Sequence, residues 1–444
     1  NNMKCDSNYI SFMVLGVCSM LSYFALMSSV NYWKLLYDSV FITIISAIYS
    51  ISFMCSTLVI LQLSARFNPN KTMIASLITN FVCLLIIALF YFITNFTIRY
   101  YITLIPIIAC GFSSGIYFAS LGACAAKISP MMLQATQLGV GVSALSIQLI
   151  KDLVYAFFPN DPSKAILQFY NMITYFGIAA VYIIFCILLW AVRRKSLQEV
   201  PIILAEKVLE DAVLKNIVQN QNDGPILNKE PQIDTENNTQ SLKTEIQPKH
   251  DQIEQSQNKV QDSRETPVKK QSEKAKILKI VAPSACAILC HYFSTYICYP
   301  ALFTAILPRQ VGISAPQWML ILLTINFLAD TIGRVLPRIP YVYRKVSKKS
   351  IIIAAYCRLV LIALYLLMTL PKASPVIRSD AMSVIADVLF SFSNGFVATF
   401  LFMKYQEDLT KPQKVDGSFI VTLFYQIAQV VGGLCGVGLA FAVK

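Results

Sequence analysis

The stretch TINFLADTIGRVLPRIP, residues 324–340, places two opposite charges inside an apolar segment. Asp330 and Arg334 lie four residues apart, so in a helix their side chains share one face and can neutralise each other. A charge at the centre of a membrane helix costs roughly 2.5–3.5 kcal/mol, and such charges face the protein interior or a wet cavity. From these residues alone, the pair fits a solute-binding site and a structural salt bridge equally well.

The whole chain has the composition of an integral membrane protein. Of its 444 residues, 56% are hydrophobic and only 14% are charged, whereas a soluble protein carries about a quarter charged residues. Residues 195–279 alone hold 14 of the 24 acidic residues. The formal net charge of +13 does not indicate nucleic-acid binding, because much of it comes from Lys and Arg that flank the apolar segments.

Eleven apolar segments are long enough to cross a bilayer, which takes about 20 helical residues. Six precede a hydrophilic region and five follow it, at residues 9–33, 39–64, 72–95, 101–127, 132–158, 166–192, 277–307, 315–337, 350–370, 379–404 and 415–443. This pattern predicts an all-α integral membrane fold with 11 transmembrane helices in a 6+5 arrangement. Transporters built from two bundles that rock around a central site share this organisation.

Three domains follow from the same pattern. We predict an N-terminal six-helix bundle over residues 1–194 and a C-terminal five-helix bundle over residues 276–444. Residues 195–275 between them are rich in polar residues and poor in aromatic ones, so we expect a disordered cytoplasmic linker.

The distribution of Lys and Arg predicts the orientation in the membrane. The loops on the same side as the N-terminus are the more basic ones, with Arg193 and Arg194 in one and Lys348 and Lys349 in another. We therefore expect a cytoplasmic N-terminus and linker, and an odd number of spans then puts the C-terminus outside. The plasma membrane is the expected location. The expected partners are the lipid bilayer and a small solute, with no nucleic acid and no obligate protein partner evident.

Polar side chains in other spans have competing interpretations. Gln137 in the fifth span could bond the edge of a heterocyclic base, although an interhelical hydrogen bond is the simpler interpretation. Tyr23 and Met27 share one face of the first span, a pattern more typical of a core than of a ligand clamp. Asp387 in the tenth span has no partner by sequence. It is either a proton-coupling residue or a buried, hydrogen-bonded carboxyl.

The sequence contains no set of catalytic residues with the spacing typical of an enzyme. It has no phosphate-binding loop, nucleophile elbow or zinc-protease motif. His291 is the one histidine in a predicted span, and no second ligand cluster has the spacing of a metal site. We therefore predict no enzymatic activity, no metal and no cofactor.

Several motifs together resemble the equilibrative nucleoside transporter family. DTIGR (330–334) is similar to the charged signature of that family's eighth span, and FSFSNGFVATFLFM (390–403) resembles its tenth-span motif. Three further segments are similar to its fifth, seventh and eleventh spans: PMMLQATQLGVGV (130–142), ICYPALFTAILP (297–308) and VDGSFIVTLFYQIAQVVGGLCG (415–436). The resemblance covers most of the chain outside the linker and is strongest from 324 to 436.

The resemblance implies a major-facilitator-like carrier that moves purine or pyrimidine nucleosides by alternating access. It assigns Asp330 and Arg334 to the ribose hydroxyls and Gln137 to the base. Three further residues match pocket positions of the family: Tyr23 in place of a frequent tryptophan, Met27 at a methionine position, and Tyr299 at an aromatic position before a proline. Because tyrosine is smaller than tryptophan and carries a hydroxyl, this departure puts the substrate range in question.

Two alternatives stay open at this point. A nucleobase carrier on the same fold, proton-linked through Asp387, would share most of these features. A membrane scaffold or receptor without transport activity would share the fold alone.

Overall fold

The computed structural model describes residues 2–37, 41–63, 69–157, 166–193, 267–370 and 372–443. Within these ranges the regular elements are helices, and eleven of them are long and apolar enough to cross a membrane. Six precede residues 194–266 and five follow them, which confirms the predicted all-α, 6+5 arrangement. The predicted linker lies outside the described residues as far as position 266.

The membrane helices are numbered α1 to α11 in chain order. The first six are α1 (Asn2–Ser28), α2 (Phe41–Leu63), α3 (Pro69–Leu89), α4 (Phe96–Ile128), α5 (Pro130–Phe157) and α6 (Ile166–Arg193). The last five are α7 (Pro267–Ile297), α8 (Ala315–Val335), α9 in two segments (Lys348–Cys357 and Val360–Thr369), α10 (Asp380–Lys404) and α11 (Gln413–Val443). Two short helices, Val30–Leu36 and Pro340–Lys345, follow α1 and α8.

The seventh helix ends earlier than the predicted span, which continues to residue 307. Regular α-helix stops at Ile297, and Tyr299 has extended backbone angles, φ −109° and ψ 133°. Tyr299 precedes Pro300, and the proline ring disfavours helical angles in the residue before it. The break therefore follows from the sequence, and it turns the Tyr299 side chain out of the α7 register.

The two halves of the chain each contain closely packed helix pairs. In the first half, α1 packs along α5, and both α2 and α3 pack against α4; in the second half, α8 packs along α10. Between the halves, α5 contacts α8 and α10, and α11 contacts α2 and α4. The described residues up to position 193 and from position 277 onward form one compact unit. The division into a six-helix and a five-helix bundle stays a prediction.

Glycines allow the closest of these helix crossings. A Cβ atom on Gly395 of α10 would lie 1.9 Å from the carbonyl oxygen of Asp330, and one on Gly139 of α5 would lie 2.2 Å from the carbonyl oxygen of Met13. Small residues of this kind let membrane helices approach until their backbones touch. The α8–α10 crossing therefore brings the backbone of Asp330 directly against α10.

Candidate functional site

The charged pair of α8 is a buried ion pair. Arg334 Nε donates to Asp330 Oδ2 at 2.7 Å, and Arg334 Nη2 lies 3.4 Å from Asp330 Oδ1. Only 6% of Asp330 and 4% of Arg334 is exposed. The helical spacing thus predicted the pairing correctly. Because the two charges cancel, the pair can lie within the membrane interior at a much lower cost than either charge alone.

Gln137 meets the same pair from the other half of the chain. Arg334 Nη1 donates to the backbone oxygen of Gln137 and to its side-chain Oε1, both at 3.1 Å. Three sequence-predicted residues therefore come together, although Gln137 and Arg334 are 197 positions apart. Gly141, one turn further along α5, leaves room for the guanidinium, since a Cβ there would lie 2.7 Å from Arg334 Cδ.

Asn394 is a further member of the site that the sequence analysis did not assign. Its Nδ2 donates to Asp330 Oδ1 at 2.7 Å, and its Oδ1 accepts from Thr295 Oγ1 of α7 at 2.8 Å. Asn394 directly precedes Gly395, so the close α8–α10 crossing places its amide beside the carboxylate. The signal was present in the sequence, because Asn394 lies in the same motif that carries the family resemblance.

Arg358, at the break in α9, is a second buried arginine that the sequence analysis missed. It is 3% exposed, and its Nη1 donates to the carbonyl oxygen of Phe390 at 2.7 Å and to Ser393 Oγ. Its Nη2 donates to Thr295 Oγ1 at 3.0 Å. Among the described residues it makes no ion pair. A single arginine within the apolar run IIIAAYCRLVLIALYLL (351–367) could have revealed it.

Tyr23 and Tyr299 lie on the two sides of an aromatic contact between the halves. The ring of Phe24 on α1 lies 5.9 Å from that of Phe327 on α8, centroid to centroid. Tyr23 flanks Phe24 at 5.6 Å, and Tyr299 flanks Phe327 at 6.1 Å. No hydrogen bond found among the described residues joins either tyrosine to the charged pair. They therefore form a surface beside the pair rather than part of its polar network.

Met27 shares a hydrophobic core with Tyr23, as its helical spacing predicts. It is half-buried and packs against the hydrophobic cluster that contains Tyr23 and Tyr49. The ring of Tyr23 lies 5.1 Å from that of Tyr49 on α2, and its hydroxyl lies 3.3 Å from Ser46 Oγ. This environment agrees with the core interpretation of the stripe and is also compatible with a wall of a binding site.

Additional tyrosines, not singled out in the sequence, lie where α7 meets α11. The hydroxyls of Tyr296 and Tyr425 are 3.0 Å apart, and the ring of Tyr292 lies 4.4 Å from that of Tyr425. Phe118 of α4 packs 5.5 Å from Tyr425. This cluster gives the inter-half boundary flat aromatic faces with polar edges, which can pack and hydrogen-bond at once.

Asp387 is held differently from Asp330. Its Oδ1 accepts from Asn326 Nδ2 at 2.7 Å, from Ser391 Oγ at 3.3 Å and from the Tyr365 hydroxyl at 3.5 Å. Its Oδ2 has no hydrogen-bond partner, and no ion pair to Asp387 occurs among the described residues. The residue is 1% exposed. It is thus a buried, hydrogen-bonded carboxyl, and the proton-coupling role stays a prediction.

His291 lies next to Asn394. It is fully buried, and neither ring nitrogen makes a hydrogen bond of ordinary geometry. Within the part of the chain that the structure describes, no group of three or more His, Cys, Asp or Glu side chains could hold a metal ion.

Contacts between α5 and α8 lie on both sides of the charged pair. Toward one end, Gln134 Nε2 donates to the backbone oxygen of Arg334 at 2.7 Å, and the Tyr9 hydroxyl of α1 donates to Gln134 Oε1 at 2.6 Å. Toward the other end, Thr324 Oγ1 donates to Asp152 Oδ2 at 2.6 Å. The pair is therefore enclosed between two polar contacts that join the halves.

Comparison with known sequences identifies one family. The sequence model of the family described as Nucleoside transporter matches residues 104–444. The matched range includes Gln137, Asp330, Arg334 and Asn394 and excludes Tyr23 and Met27. A search of curated proteins returned no significant match.

Solved structures with a similar fold include transporters of the major facilitator superfamily. XylE from E. coli, a proton:xylose symporter, is similar over 98% of this chain and 95% of its own, with TM-score 0.60 and 12% identity. A variant of the E. coli fucose:proton symporter FucP is similar over 98% and 97%, with TM-score 0.52 and 14% identity. A bacterial homologue of the iron transporter ferroportin is similar over 98% of both chains, with TM-score 0.54 and 12% identity. These likenesses show the fold and confirm that it is major-facilitator-like.

Proposed function

The chain belongs to the nucleoside transporter family, and from this premise we propose that it is a facilitative carrier of nucleosides that works by alternating access. That it is a membrane transporter follows from its family and from the eleven helices, among the described residues, that are long and apolar enough to cross a membrane. The observation that supports the substrate proposal is the junction of Asp330, Arg334 and Gln137, where opposite charges and an amide from both halves meet.

The charged pair has the hydrogen-bonding capacity that a ribose requires. Asp330 as a carboxylate accepts hydrogen bonds only, so it suits the donor hydrogens of sugar hydroxyls. Arg334 carries five donors and can bond the oxygens of the same hydroxyls. Since the pair is neutral as a whole, an uncharged sugar can replace some of its contacts without leaving a charge unpaired.

The groups next to the pair suit a nucleobase. The amide of Gln137 combines donor and acceptor groups that match the edge of a base. Tyr23, Phe24 and Tyr299 offer ring faces at the contact between α1 and α8, and stacking of a base on an aromatic side chain contributes about 1–3 kcal/mol. In this proposal the base lies against these rings with Met27 beside them.

The same contacts connect substrate binding to the movement of the halves. Arg334 holds Gln137 across the boundary, and Gln134 holds the backbone of Arg334, so separation of α5 from α8 breaks both contacts. A bound nucleoside offers replacement hydrogen bonds and so lowers the cost of that separation. A ligand shifts such an equilibrium only by its difference in affinity for the two states.

We further propose the topology and chemistry expected from the sequence. The N-terminus and residues 195–275 are cytoplasmic, and the plasma membrane is the site of action. The carrier forms and breaks no covalent bonds and uses no cofactor, and it acts without an obligate protein partner.

One observation favours a second candidate, proton-linked transport through Asp387. A carboxylate buried without a cation is costly, and Asp387 has no cation partner among the described residues. Exposure to water in another conformation would let it release the proton. The carrier would then move protons with its solute, which is nucleoside or nucleobase.

The test is uptake into proteoliposomes that contain the purified protein. Labelled adenosine, uridine, adenine and uracil are compared, with protein-free vesicles as the control. We expect saturable uptake of the labelled nucleosides. This uptake should be inhibited by unlabelled nucleosides and should not require a pH gradient. Uptake of bases alone would contradict the nucleoside proposal, and uptake that needs an inward proton gradient would support the second candidate. A folded protein that moves none of the four would contradict both.

A further inference from the structure

We propose that Arg358 is a positioning residue of the solute site, which acts on Asp330 through Thr295 and Asn394. The inference rests on the proposed function, because it concerns the same site. No hydrogen bond joins Arg358 to Asp330 directly, and the hydrogen-bonded path between them runs through Thr295 and Asn394.

Arg358 is fixed on three sides. Its Nη1 donates to Phe390 O at 2.7 Å and to Ser393 Oγ, and its Nη2 donates to Thr295 Oγ1 at 3.0 Å. The guanidinium carbon also lies 4.9 Å from the centroid of the Phe390 ring. A guanidinium has donors only, so the hydroxyl oxygen of Thr295 must accept from it. The single hydrogen of that hydroxyl is then left to donate elsewhere.

The hydroxyl hydrogen of Thr295 has two acceptors within reach. One is Asn394 Oδ1 at 2.8 Å and the other is the backbone oxygen of His291 at 3.1 Å. The His291 oxygen already accepts from Ser294 Oγ at 2.6 Å. The shorter bond favours Asn394. Arg358 therefore directs the Thr295 hydroxyl toward the amide oxygen of Asn394.

This bond fixes the orientation of the Asn394 amide. With Oδ1 accepting from Thr295, Nδ2 faces Asp330 Oδ1 and donates at 2.7 Å. The flipped amide would place an oxygen against the carboxylate and an NH₂ group against the hydroxyl, which loses the hydrogen bond to Asp330. Asp330 is thus held by Asn394 at Oδ1 and by Arg334 at Oδ2, so its remaining lone pairs keep one direction.

The chain of hydrogen bonds from Arg358 through Thr295 and Asn394 to Asp330, here called the relay, has a consequence for substrate specificity. A carboxylate held in one direction bonds sugar hydroxyls at a defined position, and loss of that hold weakens binding of solutes that carry those hydroxyls. Solutes that lack the hydroxyls do not use the carboxylate and so lose little. This difference separates a positioning role from a purely structural one, which would affect all solutes alike.

The experiment compares Thr295→Val with Thr295→Ser in proteoliposomes, with uptake kinetics of a ribonucleoside and of its 2′,3′-dideoxy counterpart. Valine keeps the branched shape and removes the hydroxyl, whereas serine keeps the hydroxyl. We expect Thr295→Val to raise the KM for the ribonucleoside about tenfold, which corresponds to the loss of about one hydrogen bond. The maximal rate should change little. The KM for the dideoxynucleoside should stay near its wild-type value, and Thr295→Ser should restore the ribonucleoside KM.

Arg358→Lys gives an independent test of the first step. One ammonium cannot donate in a planar fork to Phe390, Ser393 and Thr295 at once, so we expect the pattern of Thr295→Val. Arg344→Lys, at an exposed position, is the matched control. An unchanged ribonucleoside KM in Thr295→Val, an equal loss for both nucleosides, or no rescue by serine would overturn the relay. If the folded wild-type protein takes up no nucleoside, the proposed function fails and the relay falls with it.

Discussion

Asp330 and Asp387 are two of the acidic residues that the second half of the protein buries, and the structure holds them in opposite ways. Asp330 on α8 forms an ion pair with Arg334 at 2.7 Å and accepts from Asn394. Asp387 on α10 accepts from Asn326, while its second oxygen has no hydrogen-bond partner. They are 6% and 1% exposed, so burial alone does not distinguish them.

The difference between the two acids lies in their partners. A cation next to a carboxylate offsets the cost of its charge in a dry interior, and Asp330 has that cation in Arg334. A carboxyl without a cation is most stable as the neutral acid, and it can then both donate and accept. Asp330 therefore suits the binding of a neutral polar solute, and Asp387 suits either a structural role or proton transfer.

The largest expected effect comes from separating the Asp330–Arg334 pair. Asp330→Ala and Arg334→Ala each leave one charge buried alone, which costs about 3–5 kcal/mol, and we expect both to abolish nucleoside uptake. Asp330→Asn keeps the shape of the side chain, and we expect uptake to fall about a hundredfold through the loss of charge-assisted hydrogen bonds.

The measurement is uptake divided by the amount of folded protein at the cell surface. Asp408→Asn is the control, because that side chain is 59% exposed and pairs with Lys348 at the surface. If Asp330→Asn reaches the surface and transports normally, the carboxylate at position 330 is not part of the solute site.

A smaller effect is expected from the crossing that supports Asp330. In Gly395→Ala the added methyl would meet the carbonyl oxygen of Asp330 at 1.9 Å, so α8 and α10 must separate. Overpacking of this kind costs about 1–3 kcal/mol, and we expect lower thermal stability together with a higher KM. Gly433→Ala on α11 is the matched control, since a Cβ there meets nothing within 4 Å.

Thermal unfolding followed by size-exclusion chromatography measures the stability, and uptake kinetics measure the KM. Wild-type stability in Gly395→Ala would show that the helices are not held as closely as the structure places them.

The smallest effect is expected at the unpaired acid. Asp387→Asn replaces the carboxyl, which has no cation partner among the described residues, by a neutral amide of the same shape. We therefore expect nucleoside uptake within about threefold of wild type, a change smaller than the loss of one hydrogen bond would cause. The variant is measured with and without an imposed pH gradient, beside Asp330→Asn. A loss as large as that of Asp330→Asn would remove the distinction between the two acids. If wild-type uptake responds to the gradient and the variant does not, Asp387 carries the proton.

Local features of the site were predictable, and long-range ones were not. The Asp330–Arg334 pair follows from a spacing of four residues on one helix, which fixes both side chains on one face. The contact of Arg334 with Gln137 was not predicted, because 197 residues separate them; the family resemblance placed both residues in one solute site without this contact. Arg358 was missed because its partners lie on α7 and α10, so its position in a single apolar run does not reveal them.

By itself the sequence determined the membrane class, the number of spans and the likeness to a transporter family, because chain-local hydrophobicity and short motifs carry that information. The break after α7 was not predicted, although the proline that follows Tyr299 is a local signal for it. Only the tertiary structure decided which polar side chains meet. The distances from Arg334 to Gln137 and from Asn394 to Asp330 are set by how closely α5, α8 and α10 cross. Those crossings depend on packing over the whole helix surfaces rather than on any local pattern.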